Sequence, residues 1–303
     1  MDTTSLSAEN ALAELYREQG RYVVTVDNID WYDYAGFMMP ACLPHRCPAI
    51  TRENAAQVLR RSGRFLARWD CDFGHATPQE WWYVVRRDAW SLQQCSANNR
   101  SKIRRGRKRL SARPLSPDEV LASGYHVCRK AEKRYDKKGF VLPLDEFTRR
   151  IEAARSFQNA MEFFGVFSGG DLVAFSENYI QSNAVFFESI WYDPEFLRSY
   201  SSYVLIDGML DHYLNQRRFD YVSDGCRSIY HKTAVQDFLM DVFGFTKEYA
   251  RLRIVYRPAF ALAVNAAFPF RRTVAYLRNW WPCITMDKTE AILRQEQIRR
   301  ACR

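Results

Sequence analysis

Residues 162–192 constrain the chain most: three apolar runs, 162–167, 172–180 and 184–192, are separated only by Ser168-Gly169-Gly170-Asp171 and Gln181-Ser182-Asn183. Runs rich in Phe, Val, Ile and Tyr between short polar turns read as strands, and turns this short can only reverse the chain. The stretch therefore predicts an antiparallel meander. A two-residue loop at Ser182-Asn183 pairs Gln181 with Ala184 and, counting back along an unbroken ladder, places Glu177 opposite Glu188. Two facing carboxylates cannot both ionise cheaply, so the pair is expected to share a proton, bind a cation or bracket a basic substrate. Ser189, one residue further on, is expected on the other face.

Helical patterns at 117–137 and 144–154, opened at Ser116 and Pro143 and parted by Gly139, precede the meander. After Asp193-Pro194 come a helix at 201–214 carrying Leu205, Met209 and His212 on one stripe, a strand at 219–222 and a turn at Asp224-Gly225. A helix from Thr233 to Val242, closed by Gly244, and a strand at 251–256 follow. Upstream, strands are expected at 22–26, 65–69 and 81–85, with a helix at 52–61 between Thr51 and Gly63. The expected division is an N-terminal mixed α/β half (1–99), a central domain (100–258) and an amphipathic helical C-terminal tail (259–303). The tail segment 270–281 sets Arg271, Arg272 and Arg278 beside Val274, Leu277 and Trp281. It reads first as a helix packed across the domain and alternatively as one lying on a membrane surface.

The net charge is +9, and residues 100–113 hold eight basic side chains and no acid, so the rest of the chain is close to neutral at +1. Such a local concentration suits an anion: phosphate, RNA or an acidic headgroup. As a helix it has only the narrow seam of Ile103 and Leu110, which predicts light docking and broad exposure. No helix-turn-helix, zinc finger or aromatic ribonucleoprotein motif accompanies it, so specific DNA binding is not expected. No run approaches the ~20 apolar residues of a membrane-spanning helix, and the first residues lack the basic and apolar regions of a secretory signal. The expected location is cytoplasmic, with the inner membrane face as a peripheral site. Eight cysteines without a C-x-x-C pair read as reduced thiols. Cys42, His45 and Cys47 have no second ligand cluster and sit between Pro44 and Pro48 in a turn, so no metal is expected.

From residue 110 the order is strand, two helices, three antiparallel strands, helix, strand, helix, strand. This order resembles the GNAT acyltransferase fold. The stretch Asn99-Arg100-Ser101-Lys102-Ile103-Arg104-Arg105-Gly106, entering that domain behind an N-terminal half, is similar to the FemAB-like branch, whose members pair two GNAT-like halves. Tyr192-Asp193-Pro194-Glu195-Phe196 and Phe243-Gly244-Phe245 add to the resemblance. It implies an α/β (α+β) architecture with a mixed, mostly antiparallel sheet flanked by helices. It implies an N-acyltransferase that moves an acyl or aminoacyl group from acyl-CoA, an acyl carrier protein or aminoacyl-tRNA to an amine, with no tightly bound cofactor.

In that family an Arg/Gln-x-x-Gly-x-Gly/Ala turn holds the coenzyme A pyrophosphate. Here residues 197–202 read L-R-S-Y-S-S, with Tyr200 and Ser202 in the glycine places. A helix start with amide donors, serine hydroxyls and Arg198 still attracts an anion, which makes Tyr192, Arg198, Ser199, Ser201, Ser202 and Arg227 the candidate donor-binding residues. Met240 takes the place of the family's leaving-group tyrosine, and Tyr230 and His231 are the nearest acids by chain position.

Acyl transfer to an amine also needs a base. Glu188, within Phe186-Phe187-Glu188-Ser189-Ile190, is the first candidate, because an apolar strand desolvates a carboxylate unless an Arg or Lys pairs with it. Glu177 is its expected partner, and Asp224, Arg227 and Lys232 are expected to line the acyl pocket. The rival reading is a noncatalytic protein of the same fold that binds RNA, an anionic membrane surface or a protein partner through its basic segment.

Overall fold

The computed structural model describes residues 11–133, 141–229, 234–280 and 283–302. Before the basic stretch the chain forms α1 (Ala11–Glu18), β1 (Val23–Val26), β2 (Ile29–Tyr34), β3 (Phe37–Pro40), α2 (Arg52–Ser62), β4 (Leu66–His75) and β5 (Trp81–Arg86). The basic stretch is α3 (Ala97–Arg107), followed by β6 (Ser111–Leu115), α4 (Pro117–Glu132) and α5 (Leu144–Ser156). The meander is β7 (Met161–Ser168), β8 (Asp171–Gln181) and β9 (Ala184–Tyr192). It leads into α6 (Ser201–Leu210), β10 (Tyr221–Cys226), α7 (Ala234–Phe243) and β11 (Thr246–Tyr256). Three helices come last: α8 (Pro258–Ala267), α9 (Arg271–Trp280) and α10 (Ile284–Ala301).

Local chemistry sets many of these boundaries. Thr51 accepts the Asn54 amide, the Asn54 side chain accepts the Thr51 amide, and Gly63 closes α2 at φ 74°. Ser116 and Glu119 make the same reciprocal cap on α4. The hairpins β1–β2 and β2–β3 were not expected from the sequence. Asp27 and Asn28 (φ 49° and 61°), then Ala35 and Gly36 (φ 52° and 95°), supply paired left-handed residues, the twist that joins strands through two-residue loops.

The chain forms two compact units, each discontinuous in sequence: Met1–Arg21 with Val84–Gly225 and Gln236–Thr246, and Tyr22–Tyr83 with Cys226–Val235 and Lys247–Arg303. Their limits are not those expected at 99/100 and 258/259. The cause is β11, which pairs antiparallel with β4, for example Leu252 with Asp70, and so brings the late chain back onto the early one. In that second unit the strands run β1-β2-β3-β4-β11. Its core gathers Trp31, Met38, Val58, Leu59, Ala67 and Trp69.

In the first unit the strands run β10-β9-β8-β7-β6, antiparallel except for the β10–β9 pair. Side chains alternate across this sheet. Glu177 meets Arg150 of α5 on one face, while on the other Ser176 bonds Met209 of α6 (2.9 Å) and Asn178 bonds Tyr213 just beyond it (3.3 Å).

Helix α3 docks firmly on α6, which corrects the expectation of light contact. Ile103 is fully buried, and Gly106 lies so close to α6 that a Cβ there would stand 2.5 Å from Val204 Cγ2 and 3.3 Å from Tyr200 Cβ. Arg107 adds a two-pronged contact to buried Asp207 (2.7 and 2.8 Å), which also accepts the Trp90 indole N–H at 2.9 Å. The apolar spacing in the sequence under-reported this contact because glycine and paired charges carry it. Gly106→Ala is expected to lower unfolding stability by about 1–3 kcal/mol, read as a lower urea midpoint at unchanged slope.

Candidate functional site

Strands β9 and β10 are parallel, with Ala184, Val185 and Phe186 beside Tyr221, Val222 and Ser223. The pairing stops there while both strands continue, β9 to Tyr192 and β10 to Cys226. The sheet therefore opens toward the strands' carboxyl ends, the usual place for a ligand in an open sheet containing parallel strands. Each strand leads on to a helix: α6 after β9 and α7 after β10.

Glu188 stands where the opening begins, and its register differs from the expected one. The loop at Ser182-Asn183 has two residues, and Gln181–Ala184 through Asn178–Phe187 pair as anticipated, but Glu177 then faces Ser189. Glu188 is the extra residue of a β-bulge and faces no partner. The same bulge puts Ser189 on the Glu177 side, where its hydroxyl donates to Glu177 Oε1 at 2.7 Å, correcting the expectation that it points away.

Arginine takes the place of the shared proton. Buried Glu177 accepts from Arg150 Nε at 2.6 Å and from the Trp191 indole at 3.3 Å. Arg150 Nη2 donates to Glu188 Oε1 at 3.3 Å, and Arg21 lies 3.7 Å from the same oxygen. Burial alone would lower the Arg150 pKa, but Glu177, Tyr179 and Glu188 outweigh it and raise it well above the ordinary value. Glu188 thus has its cation partner, the alternative to a free desolvated base.

The start of α6 holds the next group. Tyr200 sits at φ 66°, the left-handed conformation a glycine would adopt there, so the backbone keeps the bend although the residue is a tyrosine. Its ring packs under Arg105 (4.9 Å) and edge-on to Tyr203 (5.9 Å). No side chain caps this helix, and Ser201 Oγ is buried with no hydrogen-bond partner. Ser199 closes the preceding 3-10 turn, Ser202 lies in the first turn of α6, Arg198 is exposed, and Tyr192 ends β9. The side chains of Arg104, Lys108 and Arg109 have no partner among the described residues, whereas Lys102 donates to Tyr203 Oη (3.2 Å).

Asp224 lies at the carboxyl end of β10, partly buried. Burial pushes its carboxyl up to about 7, against a hydrogen bond with Gln236 of α7 that pulls it down. The sequence marked Asp224 as a pocket residue but not as an acid–base group, because the signal is burial and not residue type. Glu188 faces α5 and Asp224 faces α7, so the two carboxylates flank the opening from opposite faces of the sheet. Arg227 belongs to the second unit, where it binds Glu80 through its carbonyl (2.5 Å) and carboxylate (2.9 Å). Tyr230, His231 and Lys232 lie outside the described residues.

No protein-family profile and no curated protein matches the chain. Solved structures do resemble it. The C-terminal domain of a protein from Agrobacterium fabrum, described as a lysylphosphatidylglycerol synthetase, aligns with TM-score 0.55 and 13% identity over 86% of this chain and 92% of that one. FemX aligns with TM-score 0.54 and 10% identity over 83% and 92%. A conserved protein of unknown function from Bacteroides thetaiotaomicron gives TM-score 0.52 and 11% identity over 82% and 90%. At such identities the likeness is one of architecture: the chain has the GNAT-like, FemAB-type fold.

Proposed function

We propose that this protein transfers an acyl or aminoacyl group from a phosphate-bearing carrier to an amine at the opening between β9 and β10. The observation that carries the reading is the carboxyl end of β10: a carboxylate with a pKa of about 7 beside a gap in the sheet, in a unit whose helix α6, which follows β9, starts with uncapped amides. The fold shared with FemX and with the lysylphosphatidylglycerol synthetase domain supports the same class of chemistry.

In this reading the carrier's phosphate binds the α6 start through its amides, Ser201, Ser202 and Arg198, with Ser199 and Tyr192 beside it. Exposed Arg104, Lys108 and Arg109 suit a longer polyanion such as the tRNA of an aminoacyl donor, and acyl-CoA is the smaller alternative. The amine nitrogen attacks the acyl carbonyl carbon, an N–C bond forms, and the C–S or C–O bond to the carrier breaks. Asp224 takes the proton lost by the nitrogen, and the leaving atom takes one from water. Glu188, anchored by Arg150 yet exposed, attracts the cationic amine, and Glu177 holds Arg150 in place. A purely binding role for the basic segment has less support. Five of its eight cations, Arg100, Lys102, Arg105, Arg107 and Arg113, are engaged within the fold.

A thermal-shift panel against acetyl-CoA, longer acyl-CoAs and aminoacyl-tRNA tests the donor. One class is expected to raise the melting temperature, and Arg198→Gln with Ser202→Ala to reduce the rise. Silence from all of them defeats the reading. With the donor in hand, kcat/KM is expected to fall below about pH 7 as Asp224 gains its proton, and Asp224→Asn to cost about 10²–10⁴-fold and abolish that limb. Stability gives an independent check. The folded state raises the Asp224 pKa from 3.8 to about 7, so the wild-type protein loses stability as pH climbs through that window and levels off above it. The melting advantage of Asp224→Asn should grow over the same window.

A further inference from the structure

The end of the second unit carries an apolar, cationic surface that the proposed reaction does not use. Residues 257–280 contain four arginines and no acid, and α8 reads Pro-Ala-Phe-Ala-Leu-Ala-Val-Asn-Ala-Ala, apolar nearly all round. An apolar helix normally buries itself, yet Val264 is the one buried residue of α8. Leu262 is 72% exposed, and Phe270, just past the helix, 63%. On α9, Thr273, Tyr276, Leu277 and Trp280 share one stripe and all are exposed, Trp280 to 69%, with the Tyr276 and Trp280 rings 6.1 Å apart. The other face of α9 meets the rest of the tail, where Arg278 reaches Asp287 and Glu290 of α10 at 2.6 Å each. Phe65, 59% exposed, packs against Phe260 with the rings tilted 34° and extends the apolar area.

Charge decides what covers this face. Arg257, Arg271 and Arg272 have no carboxylate partner among the described residues, and Arg271 lies flat over Phe268 at 4.6 Å. An apolar surface bearing Leu and Phe, edged by Trp and Tyr and flanked by the cations Arg257, Arg271 and Arg272, matches the boundary layer of an anionic bilayer. There acyl chains take the aliphatic groups, the headgroup region takes the amphipathic rings, and lipid phosphates take the guanidinium groups. A protein partner would have to offer apolar and acidic surface together, whereas an anionic membrane presents both everywhere.

We propose that α8 and α9 form an interfacial anchor that seats the second unit on an anionic lipid surface, with Leu262, Phe270 and Trp280 inserted and Arg271 and Arg272 at the phosphates. The test is sedimentation of the full chain with vesicles of phosphatidylcholine alone or mixed with phosphatidylglycerol. Binding is expected to the mixed vesicles and to weaken as NaCl rises from about 0.1 to about 0.5 M. Leu262→Ser, Phe270→Ser and Trp280→Ser combined should lower the partition coefficient by about tenfold or more. Arg271→Gln with Arg272→Gln should lower it and flatten the salt dependence. Circular-dichroism melts of these surface variants confirm that they fold.

A wild-type protein that stays in the supernatant overturns the proposal, as does a triple variant that sediments unchanged. Loss of binding on replacing Arg104, Lys108 and Arg109 by Gln would move the membrane contact to α3 and equally overturn it. A concentration-dependent dimer that the triple variant renders monomeric, without vesicle binding, would assign the face to a second copy of the chain.

Discussion

The guanidinium of Arg150 is the contact on which the α5 face of the first unit's sheet depends. A carboxylate as buried as Glu177 is tolerated only with a cation and hydrogen bonds around it, and Arg150, Ser189 and Trp191 provide them. The same guanidinium reaches Glu188, so α5, β8 and the bulge of β9 share one charge network. Helix α1 joins it: Arg21, just after α1, donates to Tyr179 Oη at 3.4 Å, Tyr16 packs edge-on to that ring, and Gln19 reaches Met161. Burial pushes the Tyr179 phenol up to about 12, so it stays protonated between two arginines. Truncating either partner of a pair like Arg150–Glu177 leaves a buried charge uncompensated, which generally costs more than the pair itself contributes.

From that network the opening follows. β9 is held on one side by eight register pairs with β8 and on the other by only three with β10. A strand pinned on one edge and released on the other exposes backbone groups at the release point, and the bulge lies at that point. The helix starts and Asp224 then occupy places that the strand ends dictate. The device is economical in parts: a parallel pair that stops early, an extra residue, and one partly buried acid.

Much of this was legible in the sequence because the signals are local. Glycine turns, the Thr51 and Ser116 caps and alternating apolar runs act over a few residues, and they placed α2, α4, α5 and the meander. Two hairpins escaped because Asp27-Asn28 and Ala35-Gly36 are weaker turn signals than two adjacent glycines, although both dipeptides adopt the left-handed pair that such loops need. The interleaving of the two units depends on β11 meeting β4 across most of the chain, which no local pattern records. At the site, residue types pointed to Glu177 and Glu188, but their partner Arg150 lies on a helix 27 positions before Glu177, where it reads as an ordinary surface cation. The basic helix misled in the opposite direction, since its charges looked solvated while several of them face Asp207, Tyr200 and Tyr203.

The bulge has a consequence for how this site can vary. Glu188 is a single residue inserted between two correctly paired stretches, Gln181–Ala184 through Asn178–Phe187 on one side and Glu177–Ser189 onward on the other. Excising it would close the ladder with every other pair intact and every other side chain still on its present face, because the two stretches already agree in parity once that residue is removed. The register on either side is thus independent of position 188, even though its carboxylate shares in the Arg150 network. A change in its length or charge leaves the register of the sheet as it is.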